Sequence, residues 1–274
     1  MAGMVVLGDG RSNVEVVPER GGIVARFSVG GRPVLYLDEA TLADRTKNVR
    51  GGVPVLFPSP GPLAGGKFSY GGRSGAMKQH GFARDVAWRV GDQGDRHVVL
   101  ALEDDDATRA QFPWRFSLAY RYELDGPRLR VAQRIENRDD APMPWAAGFH
   151  PYFFVRDADK SRARVPTPAT RAWDNVQKRE IALAGPIDLA AREVDLHLVD
   201  HGASEATLEL GDGARVVVSG SDAYRRWVIW TLAGKDFVCL EPWTAPADAL
   251  NTGRDLRVLA PGASEELFVE IALS

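Results

Sequence analysis

The sequence predicts an all-β fold, a large sandwich or barrel of antiparallel strands, and three observations predict it. Short segments rich in β-branched and aromatic residues follow one another along nearly the whole chain. Glycine, proline and Asx clusters such as "GDGRSN", "VGGRP", "ELDGPR" and "LGDGAR" separate them at near-regular spacing. No stretch keeps a 3.6-residue apolar period over three turns. Many short strands divided by turn signals fit a sandwich or barrel rather than a parallel α/β sheet.

Taken in order, "NVEVVPE", "GIVARFSV" and "RPVLYL" read as the first strands, and "DEATLADR" as a short helical piece. "HVVLALE", "FSLAYRYEL" and "LRVAQRIEN" follow as longer strands. The proline-rich section from Val165 to Trp173 reads as a surface loop and "GPIDLAARE" as a second short helical piece. "ATLEL", "ARVVVSG", "RRWVIWTL", "FVCLEPW" and "ELFVEIAL" complete the strands. With no internal repeat and no low-complexity linker, residues 1–274 are expected to form a single domain.

Composition narrows the function classes. The chain has 274 residues, 45% hydrophobic and 26% charged, which is enough to bury a sizeable core. A net charge of -3 argues against nucleic acid or anionic lipid as a partner. The single cysteine, Cys239, rules out an internal disulfide and a multi-cysteine metal site. No apolar run nears the ~20 residues that span a bilayer, and "MAGMVVLGDG" lacks a secretion signal, so a cytoplasmic location is expected.

Chemistry concentrates in three places. His150, in "AAGFHPYFF", is set among aromatic residues, where either a satisfied core histidine or a proton-transfer group could sit. His80, in "MKQHGFARDVAW", is followed by Gly81 and bracketed by Lys78 and Arg84; a turn-capping loop histidine is its alternative. Glu241 follows the apolar run Phe237 to Leu240 and precedes Pro242, which is expected to end the ladder and leave the carboxylate at a strand end beside a cleft. Desolvation next to Trp243 would raise its pKa toward that of a general base, whereas a partner at Arg225 or Arg226 would make it structural. Of the remaining histidines, His97 reads as exposed and His201 as part of a turn.

The segments "RGGVPVLFP", "QHGFARD", "GFHPYF", "EVDLHL" and "LEPWTAPADALNTG", in that order, resemble the aldose 1-epimerase (galactose mutarotase) family, and within it the glucose-6-phosphate 1-epimerase-like branch. The resemblance runs from "ERGGIVARF" to "LAPGASEELFVEIAL". It implies a galactose mutarotase-like β-supersandwich of two large antiparallel sheets, with a sugar in an open cleft. It implies Glu241 as general base, His150 as general acid, His80 as a second histidine at the anomeric end and Arg50 as a substrate contact. Asp195 matches an aspartate that binds sugar hydroxyls, although Leu196 and His197 depart from the pattern that follows it. Arg84, with Lys78 and Arg50, offers positive charge for a phosphate.

The implied reaction inverts C1 of an aldohexose or hexose 6-phosphate. A base takes the C1 hydroxyl proton while an imidazolium protonates the ring oxygen, and the two exchange roles on closing. No cofactor and no metal is called for, and neither a phosphate-cradling glycine loop nor a zinc spacing is present. A metal-dependent barrel using His80, His150 and Glu241 is the competing enzyme, but the chain has no His-x-His. A glycosidase would want two acids across the bond, and one clear candidate is found. A non-catalytic carbohydrate-binding module of the same fold is the alternative from another class. The expected partner is a small-molecule sugar or sugar phosphate, with the chain a monomer or weak dimer.

Overall fold

The computed structural model describes residues 3–274. The chain opens with four short strands paired in sequence order, β1 (Val5–Gly8), β2 (Ser12–Val17), β3 (Ile23–Val29) and β4 (Arg32–Pro33). The predicted helical piece forms as α1 (Glu39–Ala43), where the Asp38 side chain accepts from the free amides of Ala40 and Thr41. Next come β5 (Val55–Leu56) and the hairpin of β6 (Lys67–Tyr70) and β7 (Arg73–Ala76). A long antiparallel meander then runs through β8 (Arg89–Gly94), β9 (His97–Glu103), the one-turn α2 (Asp106–Arg109), β10 (Phe116–Asp125) and β11 (Arg128–Asn137).

Three very short strands follow, β12 (Met143–Trp145), β13 (Gly148–Phe149) and β14 (Tyr152–Phe154), then β15 (Arg171–Asp174), β16 (Arg179–Ala182) and β17 (Glu193–Leu198). The last set is β18 (Glu205–Glu209), β19 (Arg215–Gly220), β20 (Arg226–Leu232), β21 (Phe237–Trp243), α3 (Ala249–Thr252), β22 (Arg257–Leu259) and β23 (Ser264–Leu273).

Two large sheets dominate. One has seven strands in the order β18-β19-β23-β11-β10-β9-β8; the other has eight in the order β16-β15-β17-β20-β21-β13-β5, with β14 also on β21. Among the described residues every strand pair is antiparallel. β10 alternates buried and half-exposed positions, with Leu118, Tyr120, Tyr122 and Leu124 in the core and Arg121 and Glu123 facing solvent. Tyr120, Phe149 and Tyr224 meet between the sheets, so the main core is the layer that joins them. Among the described residues no helix is long and apolar enough to cross a membrane.

Three expectations are corrected. "GPIDLAARE" forms bends and turns rather than a helix, because Pro186 and the Asp188 side chain, which accepts from the Ala190 amide, favour a turn. Pro242 does not end its ladder, since β21 continues through Trp243, paired to Arg226. On its other side β14 pairs with Phe237 to Cys239 and β13 with Trp243, so Glu241 and Pro242 fall opposite the break at His150 and Pro151. A residue without an N–H is tolerated at such a gap. The Val165 to Trp173 section is irregular as far as Thr170, but its end is strand β15.

Candidate active site

One face of the eight-stranded sheet lines an open cleft of about 710 Å³. Partners in register on adjacent strands point to the same side, so the cleft floor can be read as rows. One row runs Glu180, Trp173, His197, Val228, Glu241 across β16, β15, β17, β20 and β21. The next holds Asp195, Trp230, Cys239 and Tyr152. All of these side chains line the cleft except Cys239, which is fully buried.

At the deep end, His150 Nε2 lies 3.3 Å from Glu241 Oε1, and the two residues are only 8% and 2% exposed. Trp243 Nε1 donates to Glu241 Oε2 at 3.1 Å. The His150 ring stacks on Tyr152 with centroids 4.7 Å apart, and His80 meets it edge-on at 5.5 Å. Neither arginine suggested as a structural partner reaches Glu241: Arg226 pairs with Asp255, and Arg225 with Asp222.

His80 reaches the cleft from a loop with a positive φ of 74°, and Gly81 follows at 71°. Gly81 is required there, since a Cβ would lie 2.0 Å from the Phe57 carbonyl oxygen. His80 Nδ1 hydrogen-bonds the Pro60 carbonyl, which can only accept, so Nδ1 carries the proton and Nε2 is left as an acceptor. Burial, with Arg84 adding repulsion, pushes the His80 pKa down to about 3, so the ring is neutral.

Burial also raises the Glu241 pKa well above the carboxylate range, with Asp195 adding to the rise while Trp243 and Arg84 oppose it. Desolvation therefore acts in the direction the sequence suggests. His150 departs from the expected imidazolium, because burial, then His80, Arg84 and Arg50, push its pKa well below the usual histidine value. Burial therefore favours the uncharged form of each partner over the charged one.

Arg50 and Arg84 both line the cleft. The Arg50 guanidinium lies 5.3 Å from the Trp230 ring centroid. Arg84 donates to the Gln79 carbonyl at 3.2 Å and has its pKa lowered by burial. Lys78 is exposed and lies outside the lining, so it does not join this positive charge as expected. Asp195 accepts from Asn175 Nδ2 at 2.7 Å and sits 3.4 Å from His197 Nε2. Burial works against its charge, but these partners outweigh it and hold its pKa below the usual aspartate value.

His197, Asn175, Trp173 and Trp230 also face the cleft and were not singled out from the sequence. For His197 the signal was present, since it stands two residues after Asp195 in a strand and so shares its face. It packs edge-on against Trp243, with centroids 5.2 Å apart. Of the other histidines, His97 is half-buried beside Asp92, and His201 is buried away from the cleft.

The aldose 1-epimerase family model matches residues 3–272. The chain belongs to the aldose 1-epimerase family. The structure of the Slr1438 protein from Synechocystis sp. PCC 6803 is similar with a TM-score of 0.95 and 38% identity, over 99% of this chain and 95% of that one. A galactose mutarotase-like protein from Lactobacillus casei ATCC 334 shares the fold at 23% identity and a TM-score of 0.80, over 99% of this chain and all (100%) of that one. Two curated relatives are both named "Putative glucose-6-phosphate 1-epimerase". The one from Cenchrus ciliaris is 25% identical over 81% of this chain, and the one from Salmonella typhimurium 29% identical over 47%. The matched stretches span 64% and 40% of those relatives' own lengths. The family and the galactose mutarotase-like β-sandwich agree with the expectation drawn from the five sequence segments.

Proposed function

We propose that this member of the family is an aldose 1-epimerase acting on an aldohexose or its 6-phosphate, with Glu241 and His150 as its catalytic pair. The observation that supports it is the 3.3 Å contact between a buried carboxyl group and a buried imidazole on the floor of a cleft roomy enough for a hexose or its phosphate. Ring opening takes a proton from the C1 hydroxyl and gives one to the ring oxygen, so the enzyme's proton count is unchanged. A pair sharing one proton suits that exchange. The charged arrangement, carboxylate and imidazolium, has the same proton count as the resting one. A sugar that donates its C1 hydroxyl to Glu241 and accepts from His150 at its ring oxygen supplies the hydrogen bonds that burial removed. The open-chain aldehyde then turns about its C1–C2 bond, and closure reverses the roles.

His80, Arg50 and Asp195 are proposed to hold the sugar, His80 through its acceptor nitrogen and Asp195 through hydroxyls. Arg84 and Arg50 would meet a 6-phosphate, a substrate class supported by the names of the curated relatives. No step draws on a metal, nucleotide or redox cofactor. The test is NMR exchange spectroscopy of anomers on a panel of free and 6-phosphorylated aldoses. Exchange faster than in buffer is expected for at least one hexose or hexose 6-phosphate, and buffer-like exchange across the panel would overturn the assignment.

A further inference from the structure

We propose that the cleft floor also binds a thiophilic divalent cation, of the Zn²⁺ and Cd²⁺ class, through His150, Cys239 and Glu241, and that this ion blocks the site. One nitrogen, one sulfur and one carboxylate oxygen from these residues all lie within 4.8 Å of one another. Tetrahedral zinc with bonds of about 2.0–2.3 Å needs ligand atoms roughly 3.3–3.8 Å apart, so small side-chain shifts close the set. The His150–Glu241 edge is already 3.3 Å.

The placement follows from the strands. Cys239 and Glu241 are two residues apart on β21 and share a face, and Cys239 is the register partner of Tyr152, on which His150 stacks. A second observation points the same way. His150 Nδ1 is buried and finds no hydrogen-bond partner among the described residues, so no bond on that side of the ring resists the small shift that brings Nε2 to the ion. His150 and Glu241 open onto the cleft while Cys239 lies behind them, leaving the fourth position of the ion toward solvent.

Charge and softness select the ion. A thiolate and a carboxylate cancel a dication, so the complex is neutral where an isolated charge is costly to bury. Thiolate and imidazole together favour Zn²⁺ or Cd²⁺ over Mg²⁺ or Ca²⁺. The ion would occupy the atoms assigned above to C1 and the ring oxygen. That inhibitory consequence rests on the proposed function, whereas the binding does not.

Binding is therefore read without sugar. Co²⁺ titrated into the purified protein should give a thiolate-to-cobalt charge-transfer band that Zn²⁺ displaces. In Cys239→Ser and Cys239→Ala the band should vanish, with Zn²⁺ affinity by calorimetry falling more than the about 10–100-fold typical of losing an outer-shell partner. Metal-free anomer exchange should persist in both variants, and Zn²⁺ should inhibit exchange in the wild type until chelator is added. A wild-type protein without the band, or unchanged Zn²⁺ affinity in a folded Cys239 variant, overturns the site. Binding without inhibition overturns the blocking role alone.

Discussion

Glu241 is 2% exposed, receives a hydrogen bond from Trp243 and faces His150, so changes of shape and of charge there can be separated. Glu241→Gln keeps volume and burial but cannot accept the C1 proton. Turnover should fall by about 10²–10⁴-fold with the thermal midpoint nearly unchanged. His150→Asn should behave alike, and the double variant should lose less than the product of the singles, because the groups act as a unit. Exchange rates beside circular-dichroism melts check this, and an unfolded Glu241→Gln would make the carboxyl group structural. Glu241, His150 and His80 drew notice because each stands in an unusual local context, a carboxylate in an apolar strand or a histidine beside proline or glycine, but only the resemblance of the five segments joined them into one candidate site. Trp173 and Trp230 were not, since a tryptophan in a strand reads the same whether it faces core or cleft. The direction of the His150 shift was also hidden, because it depends on burial and on positive charges brought from Arg50 and Arg84, far off in sequence.

At the scale of elements, the two joints that set the site can be tested. Gly81→Ala would place a methyl group 2.0 Å from the Phe57 carbonyl oxygen at a φ of 71°. The backbone strain alone is of order 1–3 kcal/mol, so urea denaturation should show a lower midpoint, and anomer exchange should fall further as His80 is displaced. The second joint is His201, which ties the irregular segment before β15 to β18: Nε2 donates to the Glu205 carbonyl at 2.8 Å, and the Thr167 hydroxyl donates to Nδ1 at 2.9 Å. Burial pushes its pKa below the ordinary value of 6.5. The unfolded chain therefore takes up the proton first as pH falls, so this contribution is full above about pH 6.5 and declines toward the lower folded pKa. His80 shifts the same way, whereas the raised pKa of Glu241 gives the opposite slope and offsets that of His150. Compared with the wild type, His201→Gln should therefore lose less of its urea midpoint between about pH 7.5 and 5. Long alternating strands such as β10 and β11 were plain in the sequence. β5, β12, β13 and β14 were not, because two- or three-residue strands among prolines owe their existence to partners on β21, β22 and each other.

Across the whole molecule, stabilisation is concentrated between the sheets rather than on their outer face. Arg134 lies about half exposed, 3.5 Å from Glu266 and 3.7 Å from Glu136. Arg134→Gln should shift stability by no more than about 1 kcal/mol. Trp145 is fully buried, with its ring 6.5 Å from that of Phe57, and Trp145→Ala should cost roughly 3–5 kcal/mol. Paired denaturation curves decide it, and equal losses would mean the outer ion pairs act as a network.

The seven-stranded sheet also has a history written into its order. β23 lies between β19 and β11, and it follows every strand of that sheet in the chain. A ribosome delivers β11 and β19 first, so each waits with an unpaired edge until β23 has left the exit tunnel. Val131 and Ile135 on one side and Val216 and Val218 on the other are apolar there, the kind of edge that captures foreign strands. For a nascent polypeptide, the hazardous interval closes only when that late strand is threaded into the middle.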